Sequence, residues 1–222
     1  MSLRNGFGLS GAWQLRLTRG MQVGMVVLFA VGLARGNTGI MVNTAVAFGV
    51  SLLPANLEHD YGIPLNAGLT LWITTAVFLH ALGTAVIPAV GGNIYNTVPG
   101  WDHFTHTLSS SIVAAVGYTT ARAFDEHSEM VRLPPRFTFA FILIVVLAFG
   151  VFWEVIEFAI GEIAALTGGA VLTQYGLRDT MLDLVFDTVG AVIVAVWGTA
   201  YLTDVVGAVT DRLEERRADS DR

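Results

Sequence analysis

The sequence predicts an all-α fold: a polytopic transmembrane helical bundle of about six spans, with the N-terminus and C-terminus both cytoplasmic. Three observations carry that expectation. The chain is 54% hydrophobic and only 14% charged, whereas about a quarter of the residues in a soluble domain are charged. Its mean hydropathy of +0.62 is gathered into separate apolar runs, several near the ~20 residues that a helix needs to cross a bilayer. The basic residues, all Arg, are distributed unevenly around those runs.

The first run spans about Met21 to Ala34 and follows Arg16 and Arg19. The stretch "GLARGN" after it lacks a small-residue cleavage site, so the run reads as a retained helix rather than a signal peptide. Arg19 is placed to snorkel toward the headgroups. The second span covers about Gly39 to Pro54 and the third about Leu65 to Pro88. The loop 89–100, "AVGGNIYNTVPG", is rich in turn residues and is expected to fold over the membrane face. The fourth span covers about Trp101 to Ala123, the fifth about Phe137 to Leu166 and the sixth about Thr180 to Leu202. The tail "DRLEERRADSDR" reads as a short, fraying helix. The expected organisation is an N-terminal cytoplasmic segment (1–20), a single transmembrane helical domain (21–203) and a polar cytoplasmic tail (204–222) in a multi-pass protein of the cell membrane.

Orientation follows from the excess of Arg on cytoplasmic loops. With the N-terminus inside, Arg4, Arg16, Arg19, Arg122, Arg132, Arg136, Arg212, Arg216, Arg217 and Arg222 are cytoplasmic. Only Arg35 and Arg178 are then outside. No basic stripe of the kind that binds nucleic acid is present, so the bilayer is the expected partner. The absence of cysteine excludes disulfides and thiolate metal sites.

This topology puts the intramembrane ionisable residues in one layer. His80 lies near the outer end of span three, and Asp102, His103 and His106 open span four from the same side. Glu154 and Glu157 lie roughly 18 and 14 Å below the end of span five, at 1.5 Å per residue. Asp179, Asp183 and Asp187 descend span six at i, i+4, i+8. Glu154 with Glu157, and His103 with His106, are i, i+3 neighbours on one helix face. Ionised carboxylates so close in a low dielectric need protons, cations or a metal. Carboxylates with imidazoles suit Zn, Mn or Fe, or Mg where carboxylates dominate, and helical bundles assemble such sites from facing helices. The leading ligand candidates are His106, Glu154, Glu157 and Asp183. His80, Asp102, His103 and Asp187 form a second rank. Asp179 or His80 is placed to shuttle protons in a catalytic version of the site.

Plainer roles compete. Asp102 and Asp179 also fit helix N-caps, His103 an interfacial polar residue, and His80 a structural hydrogen bond. "TLSSSI" (107–112) fits small-residue packing between helices better than a serine nucleophile. Glu162 reads as interfacial. Trp72, Tyr95, Trp101, Trp153, Tyr175 and Tyr201 suit the aromatic belts at the membrane surfaces, with Trp153 alternatively walling the site. Glu154, Glu157 and Asp183 lie at lipid depth, where an acid is costly and functional by default.

Four motifs in order, "FLHALG" (78–83), "WDHFTH" (101–106), "WEVIEF" (153–158) and "RDTMLDLVFDTVGA" (178–191), resemble the YjdF-type inner-membrane proteins. These are small polytopic proteins of unknown function. The resemblance covers roughly 65–191. It implies that His80, Asp102 with His106, Glu154 with Glu157, and Asp179 with Asp183 belong to one site. The chain departs from the pattern in its loop after span three, where Tyr95 alone remains of an aromatic-rich stretch. His103 and Asp187 are additional. Asp187 sits where VanZ-like membrane proteins place a polar residue ahead of a glycine, a second and fainter similarity.

The residues therefore support a metal-assisted enzyme that takes a lipid or polyprenyl-linked substrate sideways from the outer leaflet. The rival expectations are an ion- or proton-coupled transporter and a non-catalytic protein whose polar layer locks the bundle. Only Arg35 and Arg178 are available outside for phosphate, which weighs against a phosphatase. The scarcity of polar groups in the inner half weighs against a continuous ion path.

Overall fold

The computed structural model describes residues 10–63, 65–87, 91–128, 132–167 and 176–220. The chain is helical almost throughout. Helix α1 runs Gly11–Ala34, α2 Thr38–Ser51 and α3 Leu53–Tyr61. Helix α4 runs Ala67–Gly83, followed by a two-residue antiparallel ladder of β1 (Val86–Ile87) and β2 (Gly92–Asn93) and the single turn α5 (Ile94–Thr97). Three long helices complete the chain: α6 (Trp101–His127), α7 (Pro135–Thr167) and α8 (Leu177–Ser220).

Local chemistry explains most boundaries. The side chains of Asn37 and Asn66 cap α2 and α4, each accepting a 3.0 Å bond from the backbone N–H three residues on. That satisfies a donor left orphaned by helix geometry. Asn93 does the same for α5 through the N–H of Asn96. Helix α3 stops at Gly62, whose left-handed φ of 62° lets its N–H reach Glu58 O and that of Ile63 reach Leu57 O.

Among the described residues, four helical stretches are long and apolar enough to cross a membrane: Gly11–Ala34, Thr38–Tyr61, Pro135–Ala159 and Leu177–Gly198. Helix α4 is equally apolar but has 17 residues, about 25 Å at 1.5 Å each. Helix α6 has the length at 27 residues but carries too many polar groups to be read as a span by composition. Large apolar side chains such as Val23, Val46, Val116, Ile144, Val155 and Trp197 point outward. Apolar surface of this extent marks a lipid-facing exterior.

The helices form two groups. Met25, Ala47 and Ala81 are buried where α1, α2 and α4 meet, with Phe48, Val77 and Phe78 against them. Ala114 and Tyr118 of α6, Ile142 and Val146 of α7, and Ala191 and Val194 of α8 form the other core, reached by Leu69 of α4. Within it α6 and α8 run side by side in the same direction. His103 meets Asp183, His106 meets Asp187, Thr107 meets the Phe186 carbonyl, and Tyr118 lies against Gly198. The offset stays near eighty residues over four turns. Gly190 makes that approach possible, because a Cβ there would overlap Ser110 and the Thr107 carbonyl.

Several expectations need correction. The first helix begins at Gly11, ten residues before the apolar run. The third ends at Gly83 rather than near Pro88, because the chain turns there into the short ladder. Pro88 itself, Tyr175, and the ends 1–9 and 221–222 lie outside the described residues. Helix α8 continues without a break through the polar tail to Ser220, where Arg212 and Glu215 pair at i, i+3 and Arg212 also bonds the Tyr61 carbonyl. "TLSSSI" does pack between helices: Ser110 and Ser111 are buried against α8 and bond carbonyls of their own helix.

Candidate functional site

Three helices deliver their ionisable residues to one end of the bundle. From the first turns of α6 come Asp102, His103 and His106. From α8 come Asp179, Asp183 and Asp187, and from α7 come Glu154 and Glu157. Helices α6 and α8 start at this end, and α7 arrives at it. His106, Glu154, Glu157, Asp183 and Asp187 are each buried. Carboxylates and imidazole at that burial persist only if paired or coordinated.

The centre of the site is His106. Its Nδ1 lies 3.3 Å from Asp187 Oδ1, and its Nε2 lies 3.7 Å from Asp102 Oδ1. An Nδ1–H donating to Asp187 fixes the tautomer and leaves the Nε2 lone pair directed toward Asp102. One ligand atom each from Asp102, His106 and Asp183 lies within 4.8 Å of the others. A first-row metal about 2.1 Å from each donor separates neighbouring donors by about 3–3.5 Å. Small side-chain movements therefore close this trio around an ion. Asp187 stands behind His106, where a carboxylate would orient the imidazole if it held a metal.

The acids cannot all be ionised without compensation. Two carboxylate charges 4.8 Å apart repel by about 3.5 kcal/mol at an effective dielectric constant of about 20. His103 supplies one contact, with Nδ1 3.3 Å from Asp183 Oδ1, and stacks on Phe186 at 4.5 Å between ring centroids.

Helix α7 contributes a different pair. Glu157 accepts a 3.0 Å bond from Trp153 Nε1, one turn earlier on the same helix. Glu154 is 5% exposed, and both its carboxylate oxygens are buried without a hydrogen-bond partner among the described residues. An unmet buried acceptor costs about 1–3 kcal/mol, so such a group in a folded protein calls for a functional explanation. Both glutamates lie within electrostatic range of the α6 residues: Glu157 of His106, Glu154 of Asp102. Asp179 is half-buried in the first turn of α8, within electrostatic range of Asp102 and Asp183.

His80 closes the site from α4. Its Nδ1 is 2.7 Å from the Tyr95 hydroxyl, and its Nε2 is buried without a hydrogen-bond partner among the described residues. Trp153 meets the same imidazole edge-on at 5.9 Å. Gly83 admits this arrangement, since a Cβ there would collide with Tyr95 and Trp101. Tyr95 and Trp153 thus both contact His80.

Three sequence expectations change here. Asp102 is not an N-cap: Gly100, at φ 78°, holds that position in α6, and Asp102 faces His106 from the first turn. Asp179 is the third residue of α8, beyond its cap. His103 is not merely interfacial, because its ring is held between Asp183 and Phe186. Two contributors carry no carboxylate or imidazole and were invisible to a search for ligands. Tyr95 lies in the single turn α5, whose placement the sequence does not fix. Gly150 sits one turn before Glu154, where a Cβ would press on Asp187 Oδ2 at 2.5 Å.

Fold and site together define a helical membrane protein with a buried carboxylate–imidazole cluster at one end of the bundle. The profile of the family described as "Predicted membrane protein (DUF2238)" matches residues 17–204, and the chain belongs to that family. An "Uncharacterized protein" of Thermotoga maritima is 32% identical over 124 residues, which is 54% of this chain and 56% of that protein. The match thus spans little more than half of the relative's length. No solved structure gave a significant match.

Proposed function

We propose that this protein is a multi-pass enzyme of the cell membrane that uses a divalent metal in the outer half of the bilayer to act on a lipid-like substrate. The observation that carries this reading is the convergence of Asp102, His106 and Asp183 on one point, with Asp187 orienting the imidazole. In this account α1, α2 with α3, α4, α6, α7 and α8 cross in alternation. They give six spans within a single transmembrane unit, both termini cytoplasmic, as the Arg distribution requires. The order of the four motifs supports placing the chain beside the YjdF-type proteins, and Asp187 supports the fainter VanZ-like similarity.

The metal, when bound, polarises water or a substrate oxygen. Glu154 and Glu157 stand beside it as proton acceptors, and His80 with Tyr95 passes protons at the edge of the site. His103 holds Asp183 in place. A transporter is the weaker reading for a reason of sequence. The segments 107–121, 137–153 and 188–203 contain no Asp, Glu, His, Lys or Arg, so protons leaving the site meet no carboxylate or imidazole relay toward the opposite face.

Metal analysis of the detergent-purified protein tests the reading. About one equivalent of Zn, Mn or Fe is expected, and His106→Ala is expected to lose it while retaining helicity. A wild-type protein free of metal, with a melting temperature indifferent to a chelator, would overturn the metal reading.

A further inference from the structure

Between α7 and α8 lies a cleft of about 270 Å³, lined by Val151, Glu154, Val155, Phe158, Thr180 and Leu184. Its walls are almost wholly apolar. Val151, Val155 and Phe158 are each about half exposed on the outside of the bundle, so the cleft opens sideways toward lipid rather than toward water. Glu154 lines this cleft, and both its carboxylate oxygens are buried without a hydrogen-bond partner among the described residues, within electrostatic range of Asp102.

We infer that this cleft is the lateral docking groove for the single hydrocarbon chain of an amphiphile whose hydroxyl-bearing, uncharged head donates a hydrogen bond to Glu154. This rests on the metal-site reading above for what happens to the head once it arrives. Three features choose the occupant. A groove open to hydrocarbon and walled by Val, Phe and Leu selects an apolar chain. Its volume equals that of about nine water molecules at ~30 Å³ each, below the usual range for a drug-sized ligand. That suits part of one chain and not a two-chain lipid. Glu154 needs a donor, and the lining residues of the cleft include no Lys, Arg or His to receive a phosphate, so an alcohol fits where a phosphate does not. Thr180 adds a hydroxyl at the rim.

The test is photolabelling of the full-length protein in liposomes with a diazirine-bearing long-chain alcohol, followed by peptide mapping. Labelling is expected to concentrate on 151–158 and 180–184 and to saturate. Unlabelled long-chain alcohol should compete, whereas the matching alkyl phosphate should not. Val155→Trp, which fills the cleft from an exposed position, is expected to abolish the saturable fraction, and Leu184→Phe to weaken it. Metal content is measured on the same samples. Uniform, unsaturable labelling of all lipid-facing helices, or equal competition by the phosphate, would overturn the groove even if metal is present. Saturable labelling of the cleft in a protein that binds no metal would leave the groove standing and remove the metal reading instead.

Discussion

The two halves of the bundle treat buried polarity in different ways. In α1, α2 and α4 most buried hydroxyls and amides bond carbonyls of their own helix. Thr18 bonds Gln14 O, Asn43 bonds Gly39 O, Thr44 bonds Ile40 O, and Thr75 bonds Leu71 O. These four are satisfied wherever their helix goes; Gln22, which reaches Ser51 across α1 and α2, and His80, which meets Tyr95, depart from the pattern. In α6, α7 and α8 hydroxyls such as Ser110 and Ser111 again bond their own helix, but a set of ionisable groups is added whose partners include other helices: His103 with Asp183, His106 with Asp187. Glu154 has no partner at all among the described residues. The first kind of polarity costs little in a membrane. The second is expensive and makes the relative placement of three helices matter, as expected of a site rather than of packing.

The largest break in that contrast is expected from the ligands themselves. His106→Ala or Asp183→Ala should abolish metal binding, read by elemental analysis. Either variant should also melt lower than wild type. A metal present at a hundredfold over its Kd stabilises by about 2.7 kcal/mol, so chelation of the wild type should lower its melting temperature by several degrees. Next comes Asp187→Asn, which keeps a polar partner for His106 but loses the charge. Metal should still bind, with affinity reduced about 10–100-fold in a competition titration.

Packing variants should have smaller effects on stability. Gly190→Ala drives a methyl into Ser110 and the Thr107 backbone, and overpacking of this kind costs about 1–3 kcal/mol by thermal or denaturant unfolding. Because it shifts α8 along α6, it should also weaken metal binding. Gly150→Ala should do so more selectively, through Asp187. The smallest effect belongs to the other half: Thr44→Val should change stability by less than about 1 kcal/mol and leave metal content untouched. A Thr44→Val protein that lost metal would erase the distinction between the halves.

The sequence exposes this division only in part. The helices were legible because apolar runs are one-dimensional signals, and four of them are long and apolar enough among the described residues to cross a membrane. The stripe Asp179, Asp183, Asp187 and the pair Glu154, Glu157 were legible because 3.6-residue periodicity fixes which residues share a face. What no single helix contains is its register against the next. The offset of eighty between α6 and α8 decides that His103 meets Asp183 and that Asp102, rather than Glu154 or Glu157, joins His106 and Asp183. That offset is set by Gly190 against Ser110, a contact between two small residues with no chemical signature. The role of Tyr95 was hidden for a related reason, since the turn that carries it takes its path from the end of α4 at Gly83.

The central claim is that one imidazole and two carboxylates from α6 and α8 share a divalent ion. X-ray absorption at the metal edge of the purified, metal-loaded protein tests it most directly. The predicted shell has a single imidazole nitrogen and carboxylate oxygens at about 2.0–2.2 Å, with the imidazole signal lost in His106→Ala and kept in His103→Ala. A shell without imidazole, or one whose imidazole signal survives His106→Ala, would contradict it.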